Sequence, residues 1–187
     1  MAEKKVFITS DTHFWHTRII LFENRPFKSV EEMNEELIKR WNNKVTSNDT
    51  VIHLGDVSFG NQEKTKEIVK RLNGRKILVM GDHDINRNIK WFMDCGFDEV
   101  YKYPIVYNNY FILSHSQLGY LKLPFTNLYG HIHQSAGNPT FTTNSVCCCV
   151  ERWNYTPINF NTILLNLERL QRQMEATLNK FEPLEEK

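Results

Sequence analysis

Carboxylates and histidines stand where the short apolar runs of this chain stop. Val6-Phe7-Ile8-Thr9 ends at Ser10-Asp11, with His13 two residues on. Thr50-Val51-Ile52-His53-Leu54 ends at Gly55-Asp56, and Lys76-Ile77-Leu78-Val79-Met80 ends at Gly81-Asp82, followed by His83-Asp84. Later, His115 follows Leu113-Ser114, and Gly130-His131-Ile132-His133 sets two imidazoles two residues apart. On extended backbone such a His-x-His pair shares one face, which suits chelation. A glycine just before the carboxylate or histidine lets the backbone turn tightly beside an ion. Carboxylate oxygen mixed with imidazole nitrogen is the donor set of Mn, Fe, Zn, Ni and Co sites rather than of all-oxygen Ca sites. Asp11, His13, Asp56, Asp82, His115, His131 and His133 are more ligands than one tetrahedral ion takes up. They suit two ions about 3.5–4 Å apart that share a carboxylate and a hydroxide. A single strand-end aspartate is ordinarily a cap and a lone histidine ordinarily packs in a core. Their recurrence at successive strand ends points to a site.

The elements that must carry these residues follow from pattern. The three early apolar runs read as buried strands. Ser29, then Glu31 and Glu32 with Met33, Leu37, Ile38 and Trp41, predicts an N-capped amphipathic helix. A second helix is predicted over residues 62–72, with Ile68, Val69 and Leu72 as its apolar face and Asn73-Gly74 closing it. Strand–loop–helix units in succession argue a layered α/β fold with parallel strands, whose carboxyl-end crevice is where ligands sit. Beyond Asp98 the pattern shifts. Residues 103–107 and 110–114 flank Asn108-Asn109, a two-residue hairpin turn signal. Residues 127–129 and 144–150 read as further strands, adjacent and antiparallel. From Asn161 the residues Ile163, Leu167, Leu170, Met174, Leu178 and Phe181 recur at three and four, which is a C-terminal amphipathic helix. It is expected to dock on its own domain, with a homodimer seam as the alternative. With no repeat, low-complexity stretch or linker, residues 1–187 read as one domain, the core over 5–160 and the helix over 161–181.

The motifs Asp11-Thr12-His13, Gly55-Asp56, Gly81-Asp82-His83-Asp84, His115 and Gly130-His131-Ile132-His133 resemble, in order, the blocks of the calcineurin-like metallophosphoesterases. The likeness spans residues 5–160 and is nearest to the small uncapped enzymes of bacteria and phages, which share Ser10-Asp11-Thr12-His13-Phe14 and a trailing segment like Trp153-Asn154-Tyr155-Thr156-Pro157. It implies a four-layer αββα sandwich of two mixed sheets flanked by helices. It also implies a first divalent ion on Asp11, His13 and His133, a second on Asp82, His115 and His131, and Asp56 bridging both. His83 would face the phosphate as a general acid or electrostatic stabiliser, its ring oriented by Asp84. One block departs from the family, which reads Gly-Asn-His-Asp or Glu where this chain has Asp82. The activity implied is hydrolysis of a phosphoester by a hydroxide between two divalent transition-metal ions, manganese first among Mn, Fe, Zn, Ni and Co. A phosphodiester such as a cyclic or short nucleotide is preferred, because no cap domain encloses a small monoester.

Composition bounds the alternatives. Lys plus Arg total 23 against 22 Asp plus Glu, so no basic field grips long nucleic acid, which weighs against an autonomous nuclease. A binding scaffold with an impaired metal site is the other rival, favoured by Asp82 and opposed by the presence of His83, His131 and His133. His16, in the loop after the first strand, is a candidate phosphate contact, and Arg25 in Asn24-Arg25-Pro26-Phe27 a candidate anion clamp. His53 reads as a core histidine with a backbone partner. Ser114 and Ser116 lack a Gly-x-Ser-x-Gly elbow, so serine nucleophile chemistry is set aside. Cys95 and the run Cys147-Cys148-Cys149 read as buried apolar residues in a reducing compartment. No signal-peptide core and no membrane-length apolar stretch occur, which suggests a cytoplasmic protein that meets no membrane.

Overall fold

The structure is a computed structural model that describes residues 3–178. The first half runs β1 (Val6–Thr9), α1 (Ile19–Phe22), α2 (Val30–Lys44), β2 (Thr50–His53), α3 (Gln62–Arg71), β3 (Arg75–Val79), α4 (Ile89–Cys95) and β4 (Glu99–Tyr101). The second half runs β5 (Ile105–Tyr107), β6 (Phe111–Leu113), β7 (Thr126–Tyr129) and β8 (Ser145–Cys147), then a 3-10 turn (Val150–Trp153), β9 (Ile158–Asn159) and α5 (Phe160–Leu178). Two mixed sheets result, ordered β4-β3-β2-β1-β9 and β5-β6-β7-β8. β1 to β4 are parallel, and β9 closes the first sheet antiparallel to β1.

Strand alternation divides the core. Ile8, Ile52 and Val79 pack against Phe111, Leu113, Leu128 and Val146 of the second sheet, joined by Phe160 and Ile163 of α5. Phe7 and Val51 point the other way, onto Met33, Leu37 and Trp41 of α2 and Ile68 of α3. Leu78 meets Val69 of α3 and Phe92 of α4. Successive residues of one strand therefore serve two different layers. Ser29 caps α2 as expected, its side chain accepting from Glu32 N. Asn61 and Asn88 cap α3 and α4 in the same way.

Two expectations need correction. The second sheet is not chiefly antiparallel: β5–β6 is the hairpin, with Asn108 and Asn109 at φ 48° and 66°, but β6–β7 and β7–β8 are parallel. The long connections 114–125 and 130–144 carry the chain back to the same end, as parallel pairing requires. The run predicted as a strand over 144–150 is a strand only over Ser145–Cys147; Cys149 then makes an isolated parallel bridge to Ser10 before the chain enters the 3-10 turn. Short elements with little periodicity, α1, α4, β4 and β9, escape the pattern altogether. The expected helix end at Phe181 lies outside the described residues. All four cysteines are buried and free, and Cys147 and Cys149 share a face with their sulfurs 3.3 Å apart. Among the described residues no helix is long and apolar enough to cross a membrane.

Candidate metal centre

The chain turns abruptly where each strand of interest stops. Asp11, His13, Asp56, His131 and His133 all have left-handed backbones, with φ of 59°, 49°, 58°, 69° and 46°. For residues other than glycine this costs about 1–3 kcal/mol each and persists only when the surroundings hold it. They do: Asp11 N donates to Gly55 O at 3.0 Å and His13 N to Asp56 O at 3.0 Å, stitching the ends of β1 and β2 together. Glycine permits the closest approaches. A β-carbon on Gly81 would lie 2.3 Å from Asp56 Oδ1, and one on Gly130 would lie 2.0 Å from Ser10 Oγ and 2.3 Å from Asp11 Oδ2. The space a side chain would fill is taken by carboxylate, and His131 N donates to Asp11 Oδ2 at 3.0 Å.

These turns bring the candidate ligands into two groups. Asp11, His13 and His133 offer ligand atoms within 4.8 Å of one another, and so do Asp82, His115 and His131. A third set of the same kind, Asp11, Asp56 and His115, overlaps both. Asp56 Oδ2 lies 3.5 Å from His13 Nε2, 3.5 Å from His115 Nε2 and 3.8 Å from His83 Nε2. His133 Nε2 is 3.7 Å from Asp11 Oδ1, and His131 Nδ1 is 3.3 Å from Asp82 Oδ2. Asp11 Oδ1, His13 Nε2 and His115 Nε2 are buried and make no hydrogen bond. Orphaned donors and acceptors of this kind are costly in a packed interior, unless something outside the chain completes them. The atoms left bare are carboxylate oxygen and imidazole nitrogen aimed at one small volume, so the residues fit divalent transition ions.

The other ring nitrogens are used. His115 Nδ1 meets Leu54 O at 2.8 Å, and His133 Nδ1 meets Glu151 Oε1 at 2.8 Å. His13 Nδ1 lies 3.1 Å from His16 Nδ1. In each case the nitrogen turned inward is Nε2, as expected when a second partner fixes a ligand ring. Burial alone would raise the Asp11 carboxyl, but the imidazoles of His13, His115 and His133 outweigh it and hold it well below the usual range. Burial pushes His13 down, whereas His133 is pushed up against its burial by Glu151 and Asp11. His53 is a core histidine, pushed down to about 3 by burial. Its Nδ1 accepts from Gly55 N, so its Nε2 is the nitrogen that donates, to Thr12 Oγ1 at 2.9 Å.

Two sequence expectations are overturned. Arg25 is not a free anion clamp. Its side chain is fully buried, and the guanidinium donates to Glu151 Oε1, to Asp11 O and to Thr12 O, leaving nothing to offer a phosphate. Asp84 does not orient the His83 ring. It is buried and accepts from Asp56 N at 2.7 Å, Gly81 N at 2.9 Å and Val57 N at 3.3 Å, locking the turns after β2 and β3 together. Desolvation raises its carboxyl to about 6 despite those three donors. His83 stands at the mouth with its side chain 54 % exposed. His16 lies at the rim, its ring stacked on Phe59 with centroids 3.8 Å apart and pushed down to about 4 by burial and by the neighbouring His13.

Sequence reasoning passed over Glu151 and Phe59. Glu151 carries the signal used elsewhere, a carboxylate closing an apolar run, here Val146–Val150. Phe59 has no local signal. It is 40 % exposed, with its ring 4.8 Å from that of His83 and 5.4 Å from that of His13.

Comparison with known proteins agrees with the fold. The family model for calcineurin-like phosphoesterases matches residues 4–171. The uncharacterized protein MJ1445 of Methanocaldococcus jannaschii is 36% identical over 180 residues, covering 90% of this chain and 94% of its own. The Gene 66 protein of Mycobacterium phage L5 is 39% identical over 82 residues, 41% of this chain and 38% of its own. Among solved structures, the protein of unknown function AQ665 from Aquifex aeolicus superposes with a TM-score of 0.67 at 25% identity, over 86% of this chain and 98% of that one.

Proposed function

Since this chain belongs to the calcineurin-like phosphoesterases, a family of metal-dependent hydrolases, we propose that it cleaves a phosphoester at a two-ion centre. Asp11, His13 and His133 would hold one ion, Asp82, His115 and His131 the other, and Asp56 would serve both. The observation that carries this reading is the convergence of orphaned Asp11 Oδ1, His13 Nε2 and His115 Nε2 around Asp56. Bound there, two divalent ions supply positive charge for the phosphate oxygens and acidify a water so that hydroxide is available near neutral pH. Manganese is the first choice of metal.

The remaining chemistry belongs to side chains. His83, exposed beside Asp56, is placed to meet the substrate from the solvent side. Protonated, it neutralises the leaving oxygen or an equatorial oxygen as charge develops there. Its backbone N–H donates to Asp56 Oδ1 at 3.0 Å, which ties its position to the shared carboxylate. Asp84 acts on the same loop through the backbone. A phosphodiester such as a cyclic or short nucleotide remains the preferred substrate. The open mouth supports this, with Asp82, His83 and His131 all half-exposed, and so does the partly exposed Phe59 beside His83, an apolar surface against which a base can pack.

The test is metal analysis of purified protein, followed by reconstitution with Mn and assay on phosphomonoesters, diesters and cyclic nucleotides. Two ions per chain and diester hydrolysis support the reading. No transition metal bound and no activity after reconstitution would move the chain to a binding scaffold.

A further inference from the structure

We propose that the buried Arg25–Glu151 ion pair is the positioning element of one metal position, setting all three of its candidate ligands at once. The inference rests on the metal reading above and concerns how that position is built.

Neither side chain has any exposure, and the partners are 126 residues apart in sequence. Taking both charges out of water is expensive and is offset by well-aligned bonding. The guanidinium supplies it to one carboxylate oxygen, Oε1, while Glu151 Oε2 is buried without a hydrogen bond. Nε and Nη2 donate to Glu151 Oε1 at 3.0 and 2.6 Å. Nη2 also reaches Asp11 O at 2.8 Å, and Nη1 reaches Thr12 O at 2.9 Å. Those carbonyls belong to the two peptide units between Asp11 and His13, the stretch whose ends are strained at φ 59° and 49°. One side chain thus holds the turn that aims two ligands.

The third ligand is set through the carboxylate. Glu151 Oε1 accepts from His133 Nδ1 at 2.8 Å, which fixes the ring and leaves Nε2 bare, 3.7 Å from Asp11 Oδ1. His133 is itself strained at φ 46°, and Arg152 Nε donates to His133 O to hold it. Charge also balances, since the Arg25 cation offsets the Glu151 anion and neither adds net charge to the cluster. The other position is built differently. Asp82 and His131 have side chains 58 % and 47 % exposed, and no buried ion pair stands behind them among the described residues. The pair should therefore act on one ion and not on the other.

Single-position backgrounds separate the two. His131→Ala retains the Asp11–His13–His133 position, and His13→Ala retains the Asp82–His115–His131 position. In each, Co(II) affinity is measured by its visible absorption, with and without Glu151→Gln. A second variant, Arg25→Lys, keeps a buried cation but cannot span Glu151 and two carbonyls. Circular dichroism of the metal-free proteins reports folding separately from binding. We expect either change to weaken Co(II) binding about 10–100-fold in the His131→Ala background, the usual cost of losing a ligand's outer partner. It should leave the His13→Ala background unchanged. Equal losses at both positions, or none, would overturn the positioning role and leave the pair as a structural brace. Wild type that takes up no Co(II) would instead overturn the metal reading itself.

Discussion

Asp56 Oδ2 stands 3.5 Å from His115 Nε2, across the gap between the two ligand groups. The same oxygen is 3.5 Å from His13 Nε2 on the other side. A single carboxylate atom thus faces one imidazole from each group, the disposition of a shared ligand.

The consequence is tested by Asp56→Ala. Each ion loses an anionic donor, so bound metal should fall at both positions and activity should vanish. Metal analysis checks this directly, and a variant that keeps two ions per chain would assign the shared role elsewhere.

His83 separates binding from chemistry. It reaches the centre from solvent and lies outside both ligand groups, so His83→Ala should keep its metal. Turnover should drop about 10²–10⁴-fold, the range for a general acid. The drop should shrink on a diester with a good leaving group, which needs little protonation. Metal loss matching that of His131→Ala would make His83 a ligand.

Asp82 stands where the family motif carries asparagine. Its second oxygen replaces an amide donor and adds negative charge beside the phosphate. In the proposed two-ion centre that charge would tighten metal binding but repel substrate and make a shared water a weaker acid. Asp82→Asn should therefore raise kcat/KM at saturating metal while modestly weakening metal affinity. Slower turnover on every phosphoester tested would identify aspartate as the adapted residue.

Gly130 is the closest packing point of the centre. Gly130→Ala would drive a methyl group toward Ser10 Oγ and Asp11 Oδ2, at 2.0 and 2.3 Å without relaxation. Overpacking of this kind costs about 1–3 kcal/mol, and here it would also displace a candidate ligand. A lower melting temperature together with weaker metal binding is expected. A lower melting temperature alone would show that Asp11 moves aside without leaving the site.

Chelation should destabilise the protein. An ion that binds the folded chain at 100 times its Kd stabilises it by about 2.7 kcal/mol, and more when a second ion binds. The bare atoms of Asp11, His13 and His115 have no other source of compensation in the fold. Melting after EDTA treatment should therefore fall, and Mn should restore it. An unchanged melting curve would mean that the folded chain holds no ion tightly.

What the sequence determined by itself is local. β1, β2 and β3 are short apolar runs, and within a few residues each gives way to a carboxylate, a break that shows in the sequence even though Asp11 and Asp56 are themselves buried. Asp11, Asp56 and Asp82 were therefore legible from hydropathy alone, as were the Ser29 cap and the Asn108-Asn109 turn, whose chemistry lies within four residues. Glu151 obeys the same rule and was missed only because the run before it read as strand to its end. The direction of β7 and β8 was not legible, because a loop's composition does not say to which end of a sheet it returns.

Partnership was decided by the tertiary structure. Arg25 read as an anion clamp and Asp84 as the group orienting the His83 ring, and charge in a loop gives no sign that it will be buried. Folding closes the ends of β1 and β2 on each other and brings in the 3-10 turn after β8. Arg25 is then spent on Glu151 and two carbonyls, and Asp84 on three backbone amides. The reason is physical. A buried charge must find its bonds wherever the packed chain provides them, and those partners lie as far as 126 residues away, beyond the reach of any local pattern.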